Sequence, residues 1–398
     1  MEYITAYEAA EKWGVTPRQV QRLLAAERIP GARKQGRDYR IPADAEKPGD
    51  LRCEKHHPQD SLAAELAEIF EATALPMPRD NPDAIFGMVK EERLRLPYEC
   101  ELAYLRGDFE LVKQIYKTRG DEAIRVRITP TAMAAAISAG DFPFFLEVEN
   151  HLKSVMQKRS EDKNGIAIAE LFLSSAYISA MVLDNTPDWL KTGDFTYLPN
   201  RARPYAAHMR AKYFHAVGEF ESMLNVAETA LAFCDFTGGI YVADIYLRVM
   251  CATACCLLGR VDEATRWLLG AMRITLPHGF ITPFADCASV FGGLLEKLLE
   301  REYPAHYDAI INLWKRAGAN WVFFHNFVTK NNFVFGLPLR DYEIAIRVAK
   351  GVPNKEIAEH FHMSQGRLRN KISEIYSELH VNSRKELERF LLYGKKQT

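Results

Sequence analysis

Side chains able to do chemistry are plentiful in this chain of 398 residues, but they do not stand at catalytic spacings. Cys251, Cys255 and Cys256 share a helix face through their four-residue interval, as half of a metal site would. No matching His or Cys pair completes the set, so small core residues and no metal are expected. His56-His57 and His360-Phe-His362 read as linker and turn residues. A Gly-rich phosphate loop, GxSxG, HExxH and a dinucleotide fingerprint are all missing from the sequence, and Gly238-Gly239 and Gly292-Gly293 are isolated pairs. No catalytic residue, cofactor or enzymatic activity is therefore expected. What recurs instead is Arg, Lys and carboxamide side chains on short capped helices, groups that suit phosphates and base edges.

The elements that would position them are written most densely between Leu337 and Gly394. Leu337-Pro-Leu-Arg-Asp341 opens a helix whose apolar positions Ile344, Ala345 and Val348 recur at helical spacing, and Gly351 stops it. Asn354 is placed to cap a second helix, Lys355 to Phe361. Ser364 is placed to cap a third, about Gln365 to Leu379, with a buried stripe of Leu368, Ile372, Ile375, Tyr376 and Leu379. A last helix, about Lys385 to Tyr393, carries Leu387, Phe390, Leu391 and Leu392 on a face suited to pairing two copies. The stretch resembles the LuxR/NarL-type helix-turn-helix of bacterial transcription regulators, through Gly351-Val-Pro-Asn-Lys-Glu-Ile-Ala358, Ser364-Gln-Gly366, Arg369-Asn370, Ile375-Tyr376, Leu379, Val381 and Ser383-Arg384. The resemblance implies a four-helix module whose third helix enters the major groove and whose last helix mediates dimerisation. Contacts to double-stranded DNA are expected from Lys355, Ser364, Arg367, Leu368, Arg369, Asn370 and Lys371. Arg367, Leu368 and Lys371 depart from the family's usual Thr-Val and His, so sequence preference does not carry over.

Near the N-terminus the caps alone spell two helices. Thr5-Ala-Tyr-Glu8 is a capping box for a helix through Trp13, Gly14-Val15 makes the turn, and Thr16-Pro17-Arg18-Gln19 is a second capping box for Pro17 to Ala26. Val20, Leu23 and Leu24 point inward. Ala32 to Ile41 reads as two short strands about a Gln35-Gly36 turn. Tyr3 to Pro42 resembles the excisionase and MerR-like winged helix-turn-helix, including Ala9-Ala10, Gly14-Val15, Ile29-Pro30 and Tyr39-Arg-Ile-Pro42. This implies base contacts from the helix starting at Pro17 and phosphate or minor-groove contacts from the wing. The residues expected to touch DNA are Thr16, Arg18, Gln19, Gln21, Arg22, Arg33, Lys34 and Arg37.

Charge is distributed to match. Residues 1–57 hold 11 Lys+Arg against 9 Asp+Glu, residues 337–398 hold 12 against 8, and the rest hold 28 against 35, so a net charge of −1 hides two basic ends and an acidic middle. Seven cysteines without CxxC pairs suit reduced thiols. No apolar run approaches the roughly 18 residues of a membrane span, and Met1 leads directly into a capped helix, so a cytoplasmic location is expected. With 48% hydrophobic residues the chain can bury a large core.

Between the ends the pattern is helical. A polar, proline-bearing linker runs from Asp44 to Gln59, and Leu75-Pro-Met-Pro-Arg-Asp-Asn-Pro82 marks another break. A turn recurs at Arg106-Gly-Asp-Phe109, Ala139-Gly-Asp-Phe142, Val217-Gly-Glu-Phe220 and Leu258-Gly-Arg-Val261. Its glycines are 33, 78 and 41 residues apart, which makes the middle interval two units. The segment resembles degenerate tetratricopeptide repeats, as in Ala211 to Gly218 and Cys251 to Gly259, which implies a concave surface for a small-molecule or protein effector. Its expected lining is Tyr205, His208, Arg210, Tyr213, Tyr241, Tyr246 and Arg248. Trp321 to Phe335 reads as an aromatic packing segment.

The expected fold is mainly α, in four parts. They are a winged helix-turn-helix over 1–50, a linker and first helix over 51–82, a tetratricopeptide-like array over 83–335 and a LuxR-type module over 336–398. The function expected is transcription regulation by a homodimer whose middle domain senses an effector. The alternatives are a protein-interaction scaffold using the end modules for docking and a recombination or architectural DNA accessory.

Overall fold

The computed structural model describes residues 3–25, 29–35, 38–43, 45, 47, 61–291, 293–329, 337, 339–379 and 381–392. The chain forms two compact units, Met1–Asp60 and Ser61–Thr398.

In the first unit, β1 (Tyr3–Ile4) leads into α1 (Ala6–Trp13). Thr5 caps α1 reciprocally with Glu8, and Gly14 ends it with a φ of 64°, the left-handed conformation that glycine adopts without strain. The second cap is equally literal: Thr16 N–H donates to Gln19 Oε1 at 2.9 Å and Gln19 N–H to Thr16 Oγ1 at 3.3 Å, opening α2 (Pro17–Ala25). Strands β2 (Arg33–Gln35) and β3 (Asp38–Pro42) form the expected antiparallel pair, with Gln35 opposite Asp38. The Gly36 and Arg37 part of the turn lies outside the described residues. β1 adds a third strand, Tyr3 opposite Pro42, which was not expected. Ala9, Ala10, Val20, Leu24, Ile29 and Ile41 make the small core.

The second unit begins with α3 (Leu62–Ala72) and the short α4 (Ile85–Met88). Two hairpins follow, α5 (Glu92–Leu105) with α6 (Phe109–Thr118) and α7 (Glu122–Ala139) with α8 (Phe142–Lys158). Gly107 and Gly140 turn them at φ 79° and 75°, and Asp108 and Asp141 cap the second helices. After α9 (Lys163–Ser179) and the short α10 (Asp188–Thr192) come α11 (Arg203–Val217) with α12 (Phe220–Phe233) and α13 (Val242–Leu257) with α14 (Val261–Thr275), turned at Gly218 and Gly259. The 78-residue interval does not hold two regular units, because α9 is followed by an irregular stretch from Ala180 to Ala202. The short α15 (Thr282–Ala285), α16 (Leu294–Glu302) and the long α17 (Tyr307–Thr329) complete this part.

The packing follows from one apolar face per helix. α5, α7, α9, α11 and α13 touch in succession as an inner layer, while their hairpin partners stand outside. Rather than remaining open, the layer closes: α15 touches both α13 and α5, Ile281 N–H donates to Leu105 O at 2.8 Å, and Thr282 Oγ1 donates to Tyr104 O at 2.6 Å. The proline-rich segment after α3 is part of this closure. Met77 and Ile240 exchange backbone hydrogen bonds of 2.9 and 2.8 Å and share a core with Tyr98, Leu105, Tyr246 and Phe280.

The last four described helices are α18 (Leu339–Ala349), α19 (Asn354–His360), α20 (Gln365–Glu378) and α21 (Arg384–Leu392). Ile344, Ala345, Val348, Ile357, Phe361, Leu368, Ile372, Ile375 and Leu387 form their core, which also takes in Val322 of α17 and packs against Trp321. Ser364 caps α20, but Asn354 does not cap α19. It is the first helical residue, and its Oδ1 accepts from Arg384 Nη2 at 3.2 Å. Of the aromatic segment from Trp321, the part up to Thr329 is the end of α17, and 330–335 lie outside the described residues. No helix among the described residues is long and apolar enough to cross a membrane.

Candidate functional site

In the first unit α2 turns Val20 and Leu24 inward and leaves Arg18, Gln19, Gln21 and Arg22 exposed, with Thr16 exposed at its cap. The Gln19 carbonyl is occupied by Thr16, so only its NH2 end is available to an outside partner. On the hairpin, Arg33 and Lys34 are exposed, and Lys34 sits 6.0 Å from the Tyr39 ring centroid. The register places Arg33 directly opposite Arg40, a pairing of like charges that destabilises an antiparallel ladder unless an anion lies between them. Arg40 was not among the expected contacts; the alternation of the strand could have suggested it. Arg37 lies outside the described residues.

The C-terminal helices sort the expected contacts into three groups. Arg367, Arg369 and Asn370 are exposed near the start of α20, and their side chains have no hydrogen-bond or ion-pair partner among the described residues. Ser364 is engaged through its Oγ, which accepts from Arg367 N–H at 3.2 Å, and Lys355 stays exposed, 3.9 Å from Glu359. Leu368 is fully buried, a core residue that cannot reach DNA while the helix stays packed. Lys371 is pinned by Asp341 at 3.3 Å and Glu374 at 2.7 Å, so it ties α20 to α18 rather than offering a free cation. Arg384 is similarly spent on Val352 O at 2.7 Å. Leu387 belongs to the module's own core and is not available for pairing copies; the side chains of Phe390, Leu391 and Leu392 lie outside the described residues.

The inner helices surround a cavity of about 590 Å³. Four of the seven expected lining residues face it: Tyr205, His208, Tyr241 and Tyr246. The other three are structural. Arg210 donates to Lys191 O and Thr192 O, Tyr213 packs on Phe214, and Arg248 pairs with Asp244 at 2.8 Å. Sequence reasoning missed Tyr104, Arg127, Lys212 and Asp286, which come from helices or turns whose inward face only the packing decides. Glu71, Arg201, Asp235 and Phe233 stand exposed at the mouth.

Deep in the cavity the polar groups are unevenly satisfied. Tyr104 donates to Asp286 Oδ2 at 3.1 Å, and burial lifts the Asp286 carboxyl to about 6, with Lys212 opposing the rise. Burial, reinforced by Lys212, holds His208 well below its usual range, so its imidazole is neutral. Its ring stacks on Tyr246 at 5.0 Å and 22°. Among the described residues neither His208 Nε2 nor the Tyr246 hydroxyl has a partner at hydrogen-bonding geometry, although both residues are over nine-tenths buried and Tyr246 stands near enough to Asp286 to favour its ionised form.

A smaller cavity of about 160 Å³ shares Tyr104, Ser179, Lys212 and Asp286 with the first and reaches Trp321 of α17 and Glu343 of α18. Burial raises the Glu343 carboxyl to about 7, against the pull of Arg347 and Arg340. His325 joins α17 to both sides: Nδ1 lies 2.8 Å from Ala180 O and Nε2 lies 3.3 Å from the Tyr342 hydroxyl, a geometry met when Nδ1 donates and Nε2 accepts. Trp321 Nε1 donates to Ser179 O at 2.8 Å.

The cysteines of α13 are core residues: Cys251, Cys255 and Cys256 are buried, and burial pushes the last two thiols up to about 11. No group of three or more potential metal ligands occurs among the described residues. The class defined so far is a mainly helical protein with a small antiparallel sheet, an interior cavity and exposed cations on a capped helix near each end. Comparison with protein-family models, curated proteins and solved structures finds no match for the chain.

Proposed function

We propose that this protein is a DNA-binding transcription regulator in which an effector held inside the helical ring controls the C-terminal helices. The reading is carried by α20, where a buried stripe of Leu368, Ile372 and Ile375 fixes the helix while Arg367, Arg369 and Asn370 face outward unpaired from a capped N-terminal end. A helix anchored on one face with free guanidinium and carboxamide groups on the other matches what the major groove reads. The resemblance of Gly351 to Arg384 to LuxR-type modules, and of Tyr3 to Pro42 to winged modules, points the same way, with α2 and the opposed Arg33 and Arg40 as a second DNA contact in each copy of a homodimer.

Control runs through packed groups rather than through nucleotide hydrolysis. An occupant near Lys212 and Asp286 changes the surroundings of the smaller cavity, whose far wall is Glu343 of α18. α18 in turn holds α20 through the Asp341–Lys371 pair. The occupant thus biases how firmly α18 sits on α17, and with it the presentation of Arg367 and Arg369.

The test is selection of genomic DNA fragments by the full-length protein, followed by affinity against salt. Binding is expected to weaken steeply with salt, and Arg367→Ala and Arg369→Ala each to reduce the log–log slope by about one wherever the lost group neutralised a phosphate. A protein that shows no salt-sensitive binding to any fragment is not a DNA-binding regulator.

A further inference from the structure

We infer that the occupant of the 590 Å³ cavity is an uncharged, planar aromatic molecule carrying hydroxyl or carbonyl oxygen, bound between the His208–Tyr246 stack and the aromatic mouth. The inference rests on the reading of this cavity as the effector site and adds the chemistry of what it takes. Its volume suits a drug-sized ligand, for which pockets of about 300–1,000 Å³ are usual.

Charge matching excludes an ion. Arg127 pairs with Glu101 at 2.8 Å, and Arg201 pairs with Glu71 at 3.2 Å. Asp235 is held by the backbone N–H and hydroxyl of Thr237 at 3.0 and 2.6 Å. Lys212 donates to Ser179 Oγ at 3.0 Å and lies within the field of Asp286, whose charge it supports. Arg127 and Arg201 are each spent on a carboxylate, Asp235 sits at the exposed mouth on neutral donors, and Lys212 and Asp286 stand in the deep wall with opposite signs, so the deep wall presents no net charge to a charged ligand entering a low-dielectric space.

The unpartnered atoms state what is wanted instead. Tyr246 is a neutral phenol that needs an acceptor, and neutral His208 Nε2 needs a donor or an acceptor according to its tautomer. A hydroxyl oxygen serves both. The flat face of the His208–Tyr246 stack, with Tyr205 edge-on to His208 at 6.2 Å and 69°, favours a ring over a flexible chain. Phe233, 86% exposed at the mouth, is an apolar side chain left in water until something covers it.

The experiment titrates the full-length protein with two uncharged probes, 2-naphthol and 3-hydroxyflavone. It repeats the titration with two charged ones, 2-naphthoate and 2-naphthylmethylammonium, and assays salt-sensitive DNA binding in the same preparation. At least one uncharged probe is expected to bind saturably and the charged ones at least about tenfold more weakly. Tyr246→Phe should weaken the bound probe about fivefold while raising the melting temperature of the free protein, since the hydroxyl it removes is unpartnered. Phe233→Ala should weaken the probe with the melting temperature unchanged. Equal or tighter binding of a charged probe, failure of both uncharged probes, or an unaltered affinity in Tyr246→Phe overturns the inference. DNA binding without uptake of either uncharged probe removes the ligand class and leaves the regulator reading standing; uptake without DNA binding does the reverse.

Discussion

The N-terminal unit and the C-terminal helices carry nearly the same local signature, a capped helix with its cations facing outward, yet they are supported differently. Among the described residues the first unit has a core of six buried residues, all between Ala9 and Ile41. The C-terminal core is larger, includes Val322 and abuts Trp321, so it is continuous with the ring. Cation use differs as well. On the hairpin, Arg33 stands opposite Arg40, whose Nε donates to the neutral Gln35 Oε1 at 3.3 Å, whereas Lys371 is tied to two carboxylates. The same cap-and-stripe pattern can thus specify a self-contained binding element or one whose position is answerable to a neighbour.

The largest expected effect breaks the comparison at its cores. Leu24→Ala and Leu368→Ala remove equivalent inward side chains, each at about 3 kcal/mol. In a unit of this size that is a large share of the total stability, so Leu24→Ala is expected to unfold it, read by the emission of Trp13, while Leu368→Ala lowers melting but leaves α18–α21 folded. If Leu24→Ala leaves the Trp13 emission native, the six-residue core is not what holds that unit.

Next in size is a pH dependence that should be confined to the second unit. Asp286 rises from 3.8 to about 6 and Glu343 from 4.5 to about 7, both through burial. The folded chain therefore holds protons that the unfolded chain has released, so this contribution to stability is complete below about pH 4 and is lost as pH rises through 6 and 7. Each carboxyl is expected to contribute up to about 3 kcal/mol to the decline, and Asp286→Asn or Glu343→Gln should flatten it in urea titrations across that range. A decline that survives both substitutions would place its origin elsewhere.

The smallest effect sharpens the likeness rather than the difference. Thr16→Ala and Ser364→Ala should each cost about 1 kcal/mol by thermal melting, because both hydroxyls accept the same orphan backbone N–H three residues on. Clearly unequal costs would show that one cap is redundant.

Local chemistry made the helix ends legible. Thr5 with Glu8, Thr16 with Gln19, Ser364 and the four turn glycines act within a few residues, and the structure places them as their types require. The stripe of Leu368, Ile372, Ile375 and Leu379 was readable for the same reason. What could not be read was long-range. Tyr3 opposite Pro42, Met77 opposite Ile240, and the diversion of Asn354 to Arg384 each depend on partners many residues away. The cavity lining was half legible: helical spacing puts Tyr205 and His208 on a common side, but only the crossing of α11 with its neighbours decides that Arg210 and Tyr213 turn away.

The joint between Met77 and Ile240, seconded by Leu105 with Ile281, has a consequence for how the array comes apart. Helical hairpins stacked in an open row hold only their immediate neighbours, so such a row can fray inward from either terminus, one repeat at a time. Here α5 and α13 are joined through α15, and the inner layer has no terminal repeat to lose first. Any opening wide enough to empty the interior must break the circle at some point and so loosen the packing on both sides of the break. That ties the cooperativity of melting to the integrity of two pairs of backbone contacts.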